Sequence, residues 1–448
     1  MKRILIYNAK IVNEGRMEPA SLLIENDTIA RITAPDDPMT DDCDERIDAT
    51  GCYLLPGVID EHVHFREPGM THKADIRSES RAAAAGGVTS IMDMPNNNPP
   101  TVTLGTLEQK MEMLAKECIV NHSCYFGATN NNYADFARLD PKRVCGVKLF
   151  MGSSTGNMLV DKRNSLQHIF HGTDLLIAAH CEDSRLIQAN AAKYRERYKD
   201  AQDVPVVKHP NIRSAEACYR SSHLAVQLAK ESGAHLHLLH LSTARELALL
   251  TAGAPDTKHI TAEACVAHLL YSAADYKTEG TRIKCNPAIK RRQDRDALRH
   301  AVCTGLIDTI ATDHAPHLLQ EKAGGATTAA SGMPMVQYSL VSMLELVDKG
   351  VFDLPTVVEK MCHAPARLYH ISKRGYLRQG YRADLVLVHK GEPWTVTTDD
   401  IYSKCGWSPL EGHSFAWRVL RTWVNGHTVY NGQEVDETYR GEPLLFER

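Results

Sequence analysis

No stretch of this sequence approaches the ~20 apolar residues needed to span a bilayer. The apolar run near the start, in MKRILIYNAKIVNEG, is broken by Asn8 and Lys10 before it reaches signal-peptide length. Both absences point to a cytoplasmic protein with no membrane partner. Neither sign of charge dominates: 51 Lys and Arg face 55 Asp and Glu, a net charge of −4, so the basic surface that would attract nucleic acid is missing. The 12 cysteines include no CxxC pair and no tight framework, and Cys118, Cys265 and Cys303 sit in apolar surroundings, so they read as reduced, buried small side chains. There is no repeat of solenoid period and no low-complexity tract. What survives these exclusions is a folded protein whose partner is a small molecule.

The chain has 448 residues, 43% apolar and 24% charged, enough for two to three domains or one large barrel with additions. Three regions follow from its patterning. Up to about residue 55, short β segments (RILIYNAKIV, ASLLIEN, TIARIT) are separated by turn residues, with Asn26-Asp27 suited to a hairpin. Over residues 56–369, apolar strand-like runs (SIMDMP, CGVKLFM, LLIAAHC, LHLLHLS, HITAEACV, DTIATDHAP) alternate with longer segments of helical spacing. One of these, RSAEACYRSSHLAVQLAKESG, ends on Gly233, a residue suited to a helix C-cap. Strand then helix, repeated about eight times, predicts a parallel sheet closed as an α/β (β/α)8 barrel of the TIM type. From residue 370 to 448 short strands return, and Asn425-Gly426 predicts another hairpin. The two β-rich ends, 1–55 and 370–448, are each too short for a core of their own, which predicts one composite β-sandwich beside the barrel.

The segment PGVIDEHVHFREPG carries the first chemical signal. Residues two apart on a strand share a face, so His62 and His64 project together at the C-terminal end of the first barrel strand, where barrel enzymes place their sites. His180 in LLIAAHCED, His240 in LHLLHLST, and Asp313, His314 and His317 in TIATDHAPH stand at the ends of later strands. A buried histidine bonded to a backbone carbonyl is the ordinary alternative for each alone. Their recurrence at one end of successive strands gives a set of N and O ligands suited to zinc or a similar divalent ion. Lys148, within the apolar strand VKLFM, has two readings. A buried neutral amine can take up carbon dioxide and become an anionic carbamate ligand. Equally, a lysine can carry its ammonium out to solvent or pair with a carboxylate.

In their order along the chain, PGVIDEHVHFREPG, DMPNNNP, VKLFMG, AAHCED, HLST, CNPAIKRRQDRDAL and IATDHAPH resemble the cyclic amidohydrolases of the amidohydrolase superfamily, and within them the dihydroorotases. The resemblance covers nearly the whole chain. It implies a centre of two zinc ions held by His62, His64, Lys148, His180, His240 and Asp313, bridged by an N6-carboxylated Lys148, with Asp313 as the proton shuttle. It also implies substrate contacts from Arg66, Asn96, Asn286 and His317, and the reversible interconversion of N-carbamoyl-L-aspartate and L-dihydroorotate in pyrimidine biosynthesis. HxHxR favours dihydroorotases over allantoinases, which usually differ at the Arg66 position, and over hydantoinases, which lack both this arginine and the MPN asparagine. Hydantoinase, allantoinase and a non-catalytic scaffold subunit are the competing readings; scaffold members of the superfamily usually lose metal ligands, and this sequence keeps them. A homo-oligomer is left open. Whether the Gly- and Ala-rich segment 318–335 acts as a mobile lid is left open by the sequence.

Overall fold

A computed structural model describes residues 2–34, 42–152 and 158–448. The terminal segments join in one eight-stranded sheet built from β1 (Arg3–Asn13), β2 (Arg16–Glu25), β3 (Thr28–Thr33), β4 (Glu45–Asp48) and β5 (Cys52–Pro56) with three strands from the other end of the chain. Of those three, Ser414–Val424 pairs antiparallel with both Leu385–Thr395 and His427–Tyr430, and Leu385–Thr395 pairs with β5. Two of the hairpins turn where the sequence places them. Asn26 adopts a φ of +55° between β2 and β3, and Asn425-Gly426 adopts +49° and +73°, the left-handed pair a two-residue hairpin requires. Instead of two facing sheets, strands from both ends belong to a single sheet, and Ile4, Ile6, Leu22, Ile24, Leu54, Leu385 and Trp423 meet in one apolar cluster.

The middle of the chain supplies β6 (Val58–Val63), β7 (Val88–Asp93), β8 (Asn121–Cys124), β9 (Phe126–Gly127), β10 (Val147–Phe150), β11 (Ile177–His180), β12 (Leu236–Leu238), β13 (Ile260–Cys265) and β14 (Thr309–Ala311), all paired in parallel. Every residue of β6, β7 and β10 is buried, as expected of parallel strands covered on both faces. Intervening helices are capped, one of them at the Gly233 the sequence marks. Asp75 and Ser78 form a capping box at Ile76–Ala85, and Gly233 closes Ala215–Ser232 at a φ of +77°.

The expected closed barrel is, among the described residues, two parallel sheets in the orders β6-β7-β8 and β14-β13-β12-β11-β10-β9. The two seams have distinct causes. At Tyr125 the chain leaves one sheet for the other, so β8 pairs with β7 while β9 pairs with β10. Between β14 and β6 a side chain takes the place of ladder bonds: Asp60 accepts from the Thr312 N–H at 3.2 Å and from the Thr312 hydroxyl at 2.6 Å. Beyond it, His64 N donates to His314 O at 2.8 Å.

The segment 318–335 is tied down and not free. Lys322, buried, donates to the carbonyls of Lys284, Ala330 and Gly332 at 2.9, 2.9 and 2.7 Å. Asp203 accepts from the Gly325 and Thr328 N–H groups and both threonine hydroxyls there. Of the cysteines named above, Cys118 and Cys265 are buried thiols, whereas Cys303, at the end of helix Arg292–Cys303, is exposed. Among the described residues no helix is long and apolar enough to cross a membrane.

Candidate metal centre and substrate cavity

Strand ends on both parallel sheets deliver their polar side chains to one cavity of about 330 Å³. His62, His64, Arg66, Asn96, Lys148, His180, His240, Asn286, Asp313 and His317 all line it, together with Phe150, Ala315, Ser331 and Gly332. Three of these residues are held in the left-handed region without being glycine: Arg66 at a φ of +67°, His240 at +39° and Asp313 at +49°. Such conformations are costly and persist where the surroundings impose them, commonly at functional sites. Gly332 has the complementary reason to be glycine, since its φ is +132° and a Cβ there would lie 2.5 Å from Ala315 O.

The nitrogen and oxygen donors of His62, His64 and Asp313 converge on one point. His62 Nδ1 bonds Glu263 Oε1 at 2.5 Å, and His64 Nδ1 bonds Asn96 Oδ1 at 2.7 Å. Because a carboxylate and an amide oxygen only accept, each Nδ1 carries the proton and a neutral ring presents a bare Nε2. Burial pushes the pKa of His64 down to about 4, so that ring is neutral at physiological pH. The two Nε2 atoms face Asp313 Oδ1, at 3.3 Å from His62 and 3.1 Å from His64. Three acceptors around one point, their atoms all within 4.8 Å of one another, suit a positive ion.

A second pair lies beside them. His180 Nδ1 faces His240 Nε2 at 2.9 Å, His180 Nε2 is held by Glu182 at 3.1 Å, and His240 Nδ1 is buried without a hydrogen-bond partner. Burial, with the neighbouring His180, His62 and Lys148, drives the pKa of His240 well below its ordinary value. Lys148 is 1% exposed, and its Nζ lies 4.7 Å from the Phe150 ring centroid. Among the described residues it has no ion-pair partner. Burial pulls its pKa down to about 8 against the raising effect of Glu263 and Asp313. For Asp313, burial raises the pKa, but the neighbouring His62 and His64 outweigh it and hold the carboxylate below its usual range.

Arg66, Asn286 and His317 line the other side of the cavity. Arg66 Nε donates to Pro316 O at 3.0 Å and its Nη2 reaches His317 Nε2 at 3.2 Å. Asn286 Oδ1 is buried and unpartnered. Glu263 and Glu182, which orient His62 and His180, are not singled out in the sequence: Glu263 sits in ITAEACV and reads as one more strand residue. Asn96 has a contact that the sequence does not suggest, since its carbonyl oxygen orients His64.

Residues 53–429 match the Amidohydrolase family. This chain belongs to that family. As an amidohydrolase it is a hydrolase of a superfamily that is usually metal-dependent, in keeping with the converging acceptors described above. It is 34% identical over 409 residues to a dihydroorotase of Halobacterium salinarum, covering 87% of this chain and 93% of that one. It is 29% identical to an allantoinase of Bacillus velezensis, covering 95% and 94%. The amidohydrolase superposes on the L-hydantoinase (dihydropyrimidinase) of Arthrobacter aurescens with a TM-score of 0.90 at 26% identity, covering 97% of this chain and 98% of that one.

Proposed function

We propose that this amidohydrolase is a cytoplasmic dihydroorotase, which opens the ring of L-dihydroorotate to N-carbamoyl-L-aspartate and closes it in reverse. Arg66 is the observation that carries this reading. Its guanidinium is buried at the cavity wall, oriented by Pro316 O and set beside His317. Dihydroorotate bears a carboxylate outside its ring, which a guanidinium can grip with two bonds, and hydantoin offers no such group. The composite sheet from 1–55 and 370–448 supports a separate scaffold domain beside a catalytic domain over 56–369.

His62, His64, Lys148 as its carbamate, His180, His240 and Asp313 would hold two zinc ions. When bound, the ions supply a Lewis acid for the ring carbonyl and a water of lowered pKa. The protein's own groups do the rest. Arg66 and His317 orient the substrate through its carboxylate, the Asn96 amide nitrogen remains free to donate because its oxygen is taken by His64, and Asn286 faces the ring. Asp313, ionised, accepts a proton from the attacking water as the carbon–oxygen bond forms. It returns that proton to the ring nitrogen as the carbon–nitrogen bond breaks.

Purified enzyme assayed with dihydroorotate, hydantoin and allantoin is expected to turn over dihydroorotate; turnover of either other ring in its place would favour the hydantoinase or allantoinase reading. Arg66→Met removes a charge-assisted bond of about 1.5 to 3 kcal/mol. It is expected to lower kcat/KM for dihydroorotate about 10- to 100-fold with zinc content unchanged. Normal kinetics in this variant would remove the residue and the substrate together.

A further inference from the structure

Among the described residues, the Lys73 side chain meets the cavity wall at His317. Its Nζ lies 3.1 Å from His317 Nδ1 and 2.8 Å from Glu321 Oε1, and its side chain is 13% exposed. An ammonium has donors and no acceptor, so the nitrogen it meets must be the bare one. Burial, with Arg66, Lys73 and Lys322 nearby, pushes the His317 pKa down to about 2, so the ring is neutral and carries a single proton. That proton therefore sits on Nε2, where it donates to Ser331 O at 3.1 Å. Arg66 brings its own N–H to the same edge, 3.2 Å from Nε2. Two donors at this spacing cannot satisfy each other, but an anionic oxygen can accept from Arg66 and share the Nε2–H with Ser331 O. The backbone of His317 is fixed separately, by Trp407 Nε1 donating to His317 O at 2.7 Å.

We propose that Lys73, braced by Glu321, is a positioning residue that holds His317 in its Nε2–H tautomer and so makes Arg66 and His317 a two-donor receptor for the substrate carboxylate. The proposal rests on the carboxylate-bearing substrate argued above. Without the lysine, His317 is free to move its proton to Nδ1 and accept from Arg66, and the receptor loses one of its donors.

The test uses the full-length, zinc-loaded enzyme. In Lys73→Met, long-range ¹H–¹⁵N spectra, with the His317 signals identified by their loss in His317→Gln, are expected to show His317 leaving the Nε2–H form. KM for dihydroorotate is expected to rise about tenfold while kcat stays within about threefold and zinc content is unchanged. Lys73→Arg, which keeps a donor, is expected to restore the tautomer and most of the affinity. Glu321→Gln loosens the brace without deleting the lysine and is expected to give a smaller rise in KM, so it carries the test should Lys73→Met fail to fold. An unchanged tautomer, a changed tautomer with unchanged KM, or KM and kcat deteriorating together with loss of zinc would each overturn the proposal. The tautomer is read without substrate, so a wild-type enzyme inactive on dihydroorotate would refute the proposed function and leave the His317 arm to be decided by the spectra.

Discussion

Asp313→Asn is expected to lower hydrolysis of dihydroorotate by the ~10²- to 10⁴-fold typical of losing a general acid–base group, while most of the bound zinc remains. Asparagine keeps the size of the side chain and one oxygen that can face His62 and His64, whose nitrogens lie 3.3 and 3.1 Å from Asp313 Oδ1. What it cannot do is take up a proton. The wild-type carboxylate is held below its usual pKa, chiefly by His62 and His64 against the opposing effect of burial, so it is ionised at neutral pH and ready to act as a base. Hydrolysis should therefore persist at neutral and alkaline pH and fail as acid protonates the group, whereas ring closure, which needs the proton supplied, should fall as pH rises. Opposite pH slopes for the two directions, both flattened in Asp313→Asn, are the expected pattern. Near-normal turnover of this variant with zinc bound would take Asp313 out of the mechanism.

The parts of this site legible in the sequence are those set by local geometry. His62 and His64 share a face because strand residues two apart must, and His180, His240 and Asp313 could be grouped because each follows an apolar run that had to be a buried strand. The supporting contacts have no local signature. Glu263 meets His62 across 201 residues, Asn96 meets His64 across 32, and Lys73 meets His317 across 244. Nothing in ITAEACV or THKAD announces such partners. The sheet seams are hidden for a related reason. Asp60 sits in VIDEHV as one buried polar residue among several, and only the approach of Thr312 turns it into a substitute for ladder bonds. Segment 318–335 reads as loose because it is rich in small residues, but its fixation depends on Asp203 and on the ammonium of Lys322. Composition reports flexibility of the chain in isolation, and distant partners decide whether that flexibility survives folding.

Lys148→Ala is expected to abolish activity and strip most of the zinc together. The buried strand Val147–Phe150 places this amine 1% exposed, beside an aromatic ring, with no carboxylate paired to it among the described residues. A permanent ammonium in that setting would carry a desolvation cost of several kcal/mol, which the more distant Glu263 and Asp313 offset only in part. Carboxylation removes the conflict. The neutral amine attacks carbon dioxide, an N–C bond forms, one proton leaves, and the resulting carbamate is an anion whose two oxygens can each meet a metal ion. His62, His64, Asp313, His180 and His240 would supply the remaining ligands. Lys148→Arg should be as inactive as the alanine variant, because guanidinium keeps its charge and forms no such carbamate. Short carboxylic acids added to Lys148→Ala should restore part of both zinc and turnover by standing in for the missing carbamate. Growth or exchange with ¹³C-labelled bicarbonate should give the wild-type protein a carbamate ¹³C signal that Lys148→Ala lacks. A fully zinc-loaded, active Lys148→Arg enzyme, or wild-type enzyme with two zinc ions and no such signal, would show that Lys148 serves this site as an ordinary buried lysine.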